Sequence, residues 1–164
     1  MKRPTILPVL VLCAMLSFSC STESVDDKAE LATEQIVVPQ AKEIEIEILE
    51  LINDYRINNG MVPLNGMDLI KSQAYSHTDY MVAQNSVSHD YFYQRKAFLM
   101  DHTGAVKVNE NVAYGFTSAE SVVNAWINSD AHRENIIGDF TDFDVSAEKN
   151  SQGKWYFTNI FIKK

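Results

Sequence analysis

The stretch Glu43–Gly60 reads EIEIEILELINDYRINNG, and the fold turns on how it is read. Over Glu43–Leu49 polar and apolar residues alternate, which is the period of a half-buried strand. Carried on to Gly60, the same stretch places Ile44, Ile48, Leu51, Ile52 and Tyr55 at i, i+4, i+7, i+8 and i+11, the apolar stripe of an amphipathic helix. Gly60 follows Asn58-Asn59 where such a helix should stop. The longer period governs, so the folded domain opens with a helix near residue 42.

Working outward, a second helix begins near Met67-Asp68. Ile70, Ala74, His77 and Met81 share one of its faces, so His77 points where the apolar residues point. It is either a core histidine satisfied by a backbone carbonyl or part of a site. Ser86–Gly115 is less regular and rich in aromatics, with Val106 and Val108 marking a short strand that leads into Asn109-Glu110-Asn111. Thr117-Ser118-Ala119-Glu120 reads as a capping box with Thr117 as the cap. The helix after it carries Val122, Val123 and Trp126, and Ser129-Asp130 starts another, with Ser129 as N-cap and Asp130 in its first turn. In the last thirty residues Phe143, Val145 and Ala147 alternate with polar residues, Asn150–Gly153 turns, and Trp155–Ile162 is almost unbroken apolar sequence. Such a run suits a strand covered on both faces. The order predicts an α+β domain, a small antiparallel sheet between helical layers.

The first twenty residues are an address. Lys2 and Arg3 precede a short apolar run from Ile6 to Phe18, and the segment closes on Leu16-Ser17-Phe18-Ser19-Cys20. The run is too short to span a bilayer and has the layout of a secretory signal. Its end resembles a bacterial lipoprotein processing site, with residues 1–19 removed and Cys20 acylated; a plainly cleaved signal is the alternative. Several acyl chains make such an anchor stable. Ser21, where an Asp would suggest retention at the inner membrane, leaves the outer membrane as the favoured destination and the leaflet open. Residues 20–41 then read as lipidated Cys20 and a flexible acidic tether, and 42–164 as the domain.

The 164 residues carry 14 Lys+Arg against 22 Asp+Glu, a formal charge of −8. This acidic balance argues against sequence-independent nucleic-acid binding, which needs basic side chains on phosphates. The two cysteines, Cys13 and Cys20, leave none in the domain, so no disulfide staples it.

Five stretches in order resemble one family, the bacterial members of the CAP superfamily (SCP-like; cysteine-rich secretory proteins, antigen 5 and pathogenesis-related type 1 proteins). They are Leu51–Arg56 with Gly60–Leu64, His77-Thr78, Ser88-His89, Asn109–Ala113 and Trp126–Ile136. The resemblance covers residues 45–161 and implies a CAP-type α-β-α sandwich with a cleft where His77, Glu110 and His132 converge. Ser129 stands at the position of a second family glutamate, as in many bacterial members, and its capping role is a sufficient structural reason for it. Asn109, Asp130-Ala131 and Phe143-Asp144-Val145-Ser146 depart from the family pattern, the last where Ile-Gly-Val-Gly is usual.

The implied cleft admits two functional readings. In the first it is a polar binding module on the envelope, able to hold a divalent metal or small ligand, that recognises a lipid, cell-wall fragment, peptide or protein rather than cleaving it. In the second it is a metal-dependent hydrolase with His77 and His132 holding zinc and Glu110 as general base, the only catalytic residue in view. Spacing gives no metal signal of its own, since no local His-x-x-x-His pair occurs. His89 borders the cleft or caps a turn, and His102 reads as an exposed loop residue.

Overall fold

The computed structural model describes residues 36–164. The signal, Cys20 and most of the tether lie outside the described residues. Ile36, Val37 and Val38 precede the domain as exposed, irregular chain. The elements are α1 (Glu43–Asn58), β1 (Asn65–Gly66), α2 (Asp68–Gln84), α3 (Phe92–Thr103), β2 (Lys107–Tyr114), α4 (Ala119–Ile127), α5 (Asp130–Ile136), β3 (Asp142–Lys149) and β4 (Trp155–Lys163).

Four strands form one sheet in the order β1-β3-β4-β2. The β3–β4 hairpin and the β2–β4 pair are antiparallel, as expected. The two-residue β1 adds a parallel edge against Asp142 and Phe143, too short to leave any period in the sequence. Central β4 is buried from Tyr156 to Ile162. Phe157 and Phe161 join a core with Ile48 and Ile52 of α1, Val122 and Trp126 of α4, and Phe143 of β3. Ile160 and Ile162 join a second core with Ile70 and Ala74 of α2 and Leu99 of α3. Because successive strand residues face opposite ways, one apolar run supplies both layers, and each fully buried side chain contributes about 1.5–3 kcal/mol.

Three local expectations change. The irregular stretch contains α3, whose N-cap Tyr91 is left-handed at φ 58° and makes no side-chain capping bond. With no Ser, Thr, Asp or Asn cap, its start carries no sequence signal. The cap of α4 is Ser118, paired reciprocally with Ser121, rather than Thr117 with Glu120. On α1 the buried line is Glu45, Ile48, Ile52 and Arg56, while Ile44, Leu51 and Tyr55 are only partly covered.

The charged members of that line finish the structure. Beyond β1 the edge of β3 would leave backbone groups unpaired beneath a helix, a costly state. Glu45 accepts the Ala147 N–H at 2.7 Å, and Lys71 donates to the Val145 carbonyl at 2.7 Å. The two side chains pair with each other at 2.7 Å. At the opposite edge the Trp126 indole donates to the Val112 carbonyl, and Asn135 to that of Glu110. Side chains therefore take up part of the free backbone at both edges of the sheet.

Asp144, at a usual family glycine, accepts from the Met67 and Val145 amides. Burial pushes its carboxyl up from 3.8 to about 6, outweighing those amides and nearby Lys71. The folded chain thus holds this proton more tightly than the unfolded one, and stability is lost as pH rises from about 4 through 6. Asp144→Asn loses one of the two amide bonds at any pH but also removes the buried charge, so its effect on stability should be more favourable at pH 7 than at pH 4 by on the order of 1–3 kcal/mol. Urea titrations at the two pH values measure the difference.

Candidate functional site

The site assembles on β2, from residues of both helical layers. Register against Ile160 turns Glu110 toward the layer of α2 and α3. The helical period of α2 brings His77 to the same place. Both side chains are almost fully buried, and His77 Nε2 lies 3.9 Å from Glu110 Oε1. That is too long for a hydrogen bond.

The group that does bond Glu110 is Arg95, on the face of α3 that also buries Leu99. Its Nε donates to Oε2 at 3.0 Å, and its Nη2 reaches Oε1 and Oε2 at 2.9 and 2.8 Å. His89 donates from Nδ1 to Oε1 at 2.8 Å. Oε2 thus accepts from Nε and Oε1 from His89, while the Nη2 N–H is shared between them, so both oxygens are engaged by three donors. A buried guanidinium–carboxylate pair of this kind is short, directional and costly to break. Arg95 escaped the sequence reading. Its one signal was an arginine among Phe92 and Leu99 at i, i+3 and i+7, which puts a charge on an apolar face.

His77 donates from Nε2 to the Ser88 carbonyl at 2.8 Å. This is the bond of a histidine satisfied by backbone, but its other nitrogen, Nδ1, is buried with no partner among the described residues. Its ring stacks on Tyr80, which meets Tyr91 edge to face. Burial holds the His77 imidazole below its ordinary value, against the opposing pull of Glu110. His132 is also held low, by burial and then by the neighbouring charge of His89.

Ser129 occupies the N-cap of α5, but its hydroxyl makes no capping bond. It meets His132 Nδ1 at 2.8 Å and so orients that ring. An asparagine chain supports the site from behind: Asn109 donates to Asn135, Asn135 to Asn111, and Asn111 to the His132 carbonyl. Asn109, which stands where the family usually has glycine, is thereby a working member of this chain. His89 borders the cleft, as one of its two expected roles had it. His102 lies exposed in the last turn of α3, stacked on Phe98.

Whether these residues fit a divalent cation depends on the donors already engaged. The Glu110 oxygens are engaged by Arg95 and His89, His77 Nε2 carries a proton bound to Ser88, and His132 Nδ1 is bonded to Ser129. Among the described residues no three His, Cys, Asp or Glu side chains are grouped to hold a metal. As arranged, the cation facing Glu110 is Arg95, and the ring nitrogens left without a bond among the described residues are His77 Nδ1 and His132 Nε2.

The sandwich, with Glu110 buried among Arg95, His89 and His77, defines a class, and comparison with known proteins agrees on the fold. Residues 49–161 match the model of the Cysteine-rich secretory protein family (CAP), and the chain belongs to this family. It is 32% identical over 127 residues to the uncharacterized protein YkwD of Bacillus subtilis, covering 73% of this chain and 47% of that one. It is 27% identical over 124 residues to the uncharacterized membrane protein YlbC of the same organism, covering 73% and 34%. The chain thus spans half or less of these curated relatives. Among solved structures, an outer surface protein of Borrelia burgdorferi superposes with a TM-score of 0.64 at 21% identity, over 71% of this chain and 90% of that one.

The ion pair and the two histidines can each be tested by unfolding. Arg95→Met strands Glu110 and should cost about 3–5 kcal/mol, whereas in a Glu110→Gln background the same change should cost far less. Additive costs in urea titrations of the four proteins would contradict the pairing. Since His77 and His132 are held low, the unfolded chain takes up protons before the folded one, and stability falls as pH drops below about 6.5. His77→Gln should flatten this acid loss in a plot of unfolding free energy against pH.

Proposed function

We propose that the protein is an extracytoplasmic binding module, held to the bacterial envelope by acyl chains on Cys20, whose polar cleft recognises a ligand without cleaving it. The observation that supports this reading is the carboxylate of Glu110, both of whose oxygens are already hydrogen-bonded. A general base needs a free lone pair within reach of the proton it takes, and a metal-bound one needs its oxygens for the ion. Both oxygens of Glu110 are engaged by Arg95 and His89. At the start of α3, on the helix that carries Arg95, Tyr91 and Tyr93 stand 59% and 81% exposed, offering flat apolar faces with polar tips, as ligand-binding surfaces often do. The basic, short apolar N-terminal segment ending at Cys20 supports the address, and an outer surface protein and a membrane protein stand among the relatives.

The test is made on the mature chain with Cys20→Ser. Calorimetric titration with zinc and with cobalt should show no saturable site near one per chain, and peptide and cell-wall substrates should remain intact. One zinc per chain, lost in His77→Ala, or hydrolysis lost in Glu110→Ala, would establish the metal-dependent hydrolase instead. In cells, Cys20→Ala should move the protein from the membrane fraction to the soluble one.

A further inference from the structure

A cavity of about 580 Å³ lies apart from His77 and Glu110, neither of which lines it. It lies between the turn after α1 and the segment from α5 to β3, and its size suits a small ligand. The turn is fixed by backbone bonds from Gly60 to Ile57 and from Met61 to Arg56, with Gly60 at φ 73°. This is the Schellman arrangement that ends a helix. On the other side, a Cβ at Gly138 would come within 2.4 Å of the Phe140 ring, so that wall accepts only glycine as it stands.

The cavity is lined by Arg56, which is only 4% exposed. Its Nε donates to the Val62 carbonyl and its Nη1 to those of Ile136 and Gly138. These bonds use three of the five guanidinium donors. The two on Nη2 have no partner among the described residues.

Charge at the mouth points the same way. Lys107 and Lys163 are directly opposed on β2 and β4, a like-charge pairing that is unfavourable unless an anion sits nearby. The anion present is the single exposed carboxylate of Asp139, bonded to Lys163 at 2.6 Å. Lys163, Lys107 and Arg56 all hold that carboxyl below its ordinary value. Lys163 alone bonds this carboxylate, which is 84% exposed, while Lys107 Nζ lies over the Phe140 ring at 4.4 Å, in a chain whose formal charge is −8. Val62 and Ile137, 78% and 41% exposed, supply apolar rims.

We infer that this cavity is a binding site for a carboxylate carried on a short apolar body, the carboxylate lying between Arg56 and Lys163 and the body against Val62 and Ile137. Asp139 marks the place and competes for it. As an exposed ion-pair partner it contributes little to stability, so an incoming carboxylate displaces it easily. The ligand is either a free organic acid or the C-terminal carboxylate of a peptide, which present the same group.

The test uses the full mature chain with Cys20→Ser, followed by amide NMR. The probes are 3-phenylpropionate, its neutral amide 3-phenylpropionamide, and the dipeptide N-acetyl-Ala-Phe. The acid, the dipeptide or both should shift Gly60–Val62 and Gly138–Thr141 saturably, and the neutral amide should not. Lys163→Met should weaken binding about tenfold, and Asp139→Asn should tighten it about threefold. Asp139 is exposed and Lys163 half-buried, and neither change touches Arg56 or its three carbonyl bonds. Response to 3-phenylpropionate assigns a free acid, and response to the dipeptide alone assigns a chain terminus. No saturable shift with either, equal shifts with the neutral amide, or affinity unmoved by Lys163→Met would overturn the inference.

Discussion

The candidate site is governed by one constraint: Glu110 is a charge buried in a sheet strand, and a buried carboxylate persists only when it is paired and fully hydrogen-bonded. Arg95 meets that demand with a two-pronged contact, and His89 completes it. Much follows from this arrangement. Placing a guanidinium over β2 requires α3 to lie there, and holding α3 there requires the Leu99 core contact. Carrying His89 to the carboxylate requires the turn before α3 to bring the chain back through a left-handed Tyr91. The cleft has its shape because the charge beneath it had to be neutralised.

The same logic recurs at the rims of the sheet. A four-stranded sheet between two helical layers has two edges, and β1 is too short to cover even one of them. The Glu45–Lys71 pair bonds part of the edge of β3, while Trp126 and Asn135 bond part of that of β2. With no cysteine in the domain, polar side chains placed on backbone groups are how this chain fastens its layers. Arg56, stitching the end of α1 to the end of α5, is another such fastening.

This explains what was legible in the sequence. The apolar periods of α1, α2 and α4, the doubly covered β4 and its hairpin are written in residue spacing, because burial selects residue type position by position. Glu110, His77 and His132 were visible through motif resemblance. Arg95 was not, since a long charged side chain reads as solvated surface until a distant strand is known to offer it a carboxylate. The start of α3 was hidden because no capping side chain marks it, and β1 because two residues carry no period. Ser129 shows both sides of the matter. Its place at the head of α5 was readable, but whether its hydroxyl would turn to the helix amides or to His132 depends on where the ring lies.

The central claim is that Glu110 is permanently occupied by Arg95, and the side-chain N–H signals of Arg95 report on it most directly. In 15N-edited NMR spectra, assigned by their loss in Arg95→Lys, the Nε–H should exchange slowly with water and keep its position when zinc is added in excess. An Arg95 Nε–H that exchanges as fast as those of exposed arginines, or that zinc displaces from the carboxylate, would contradict the account.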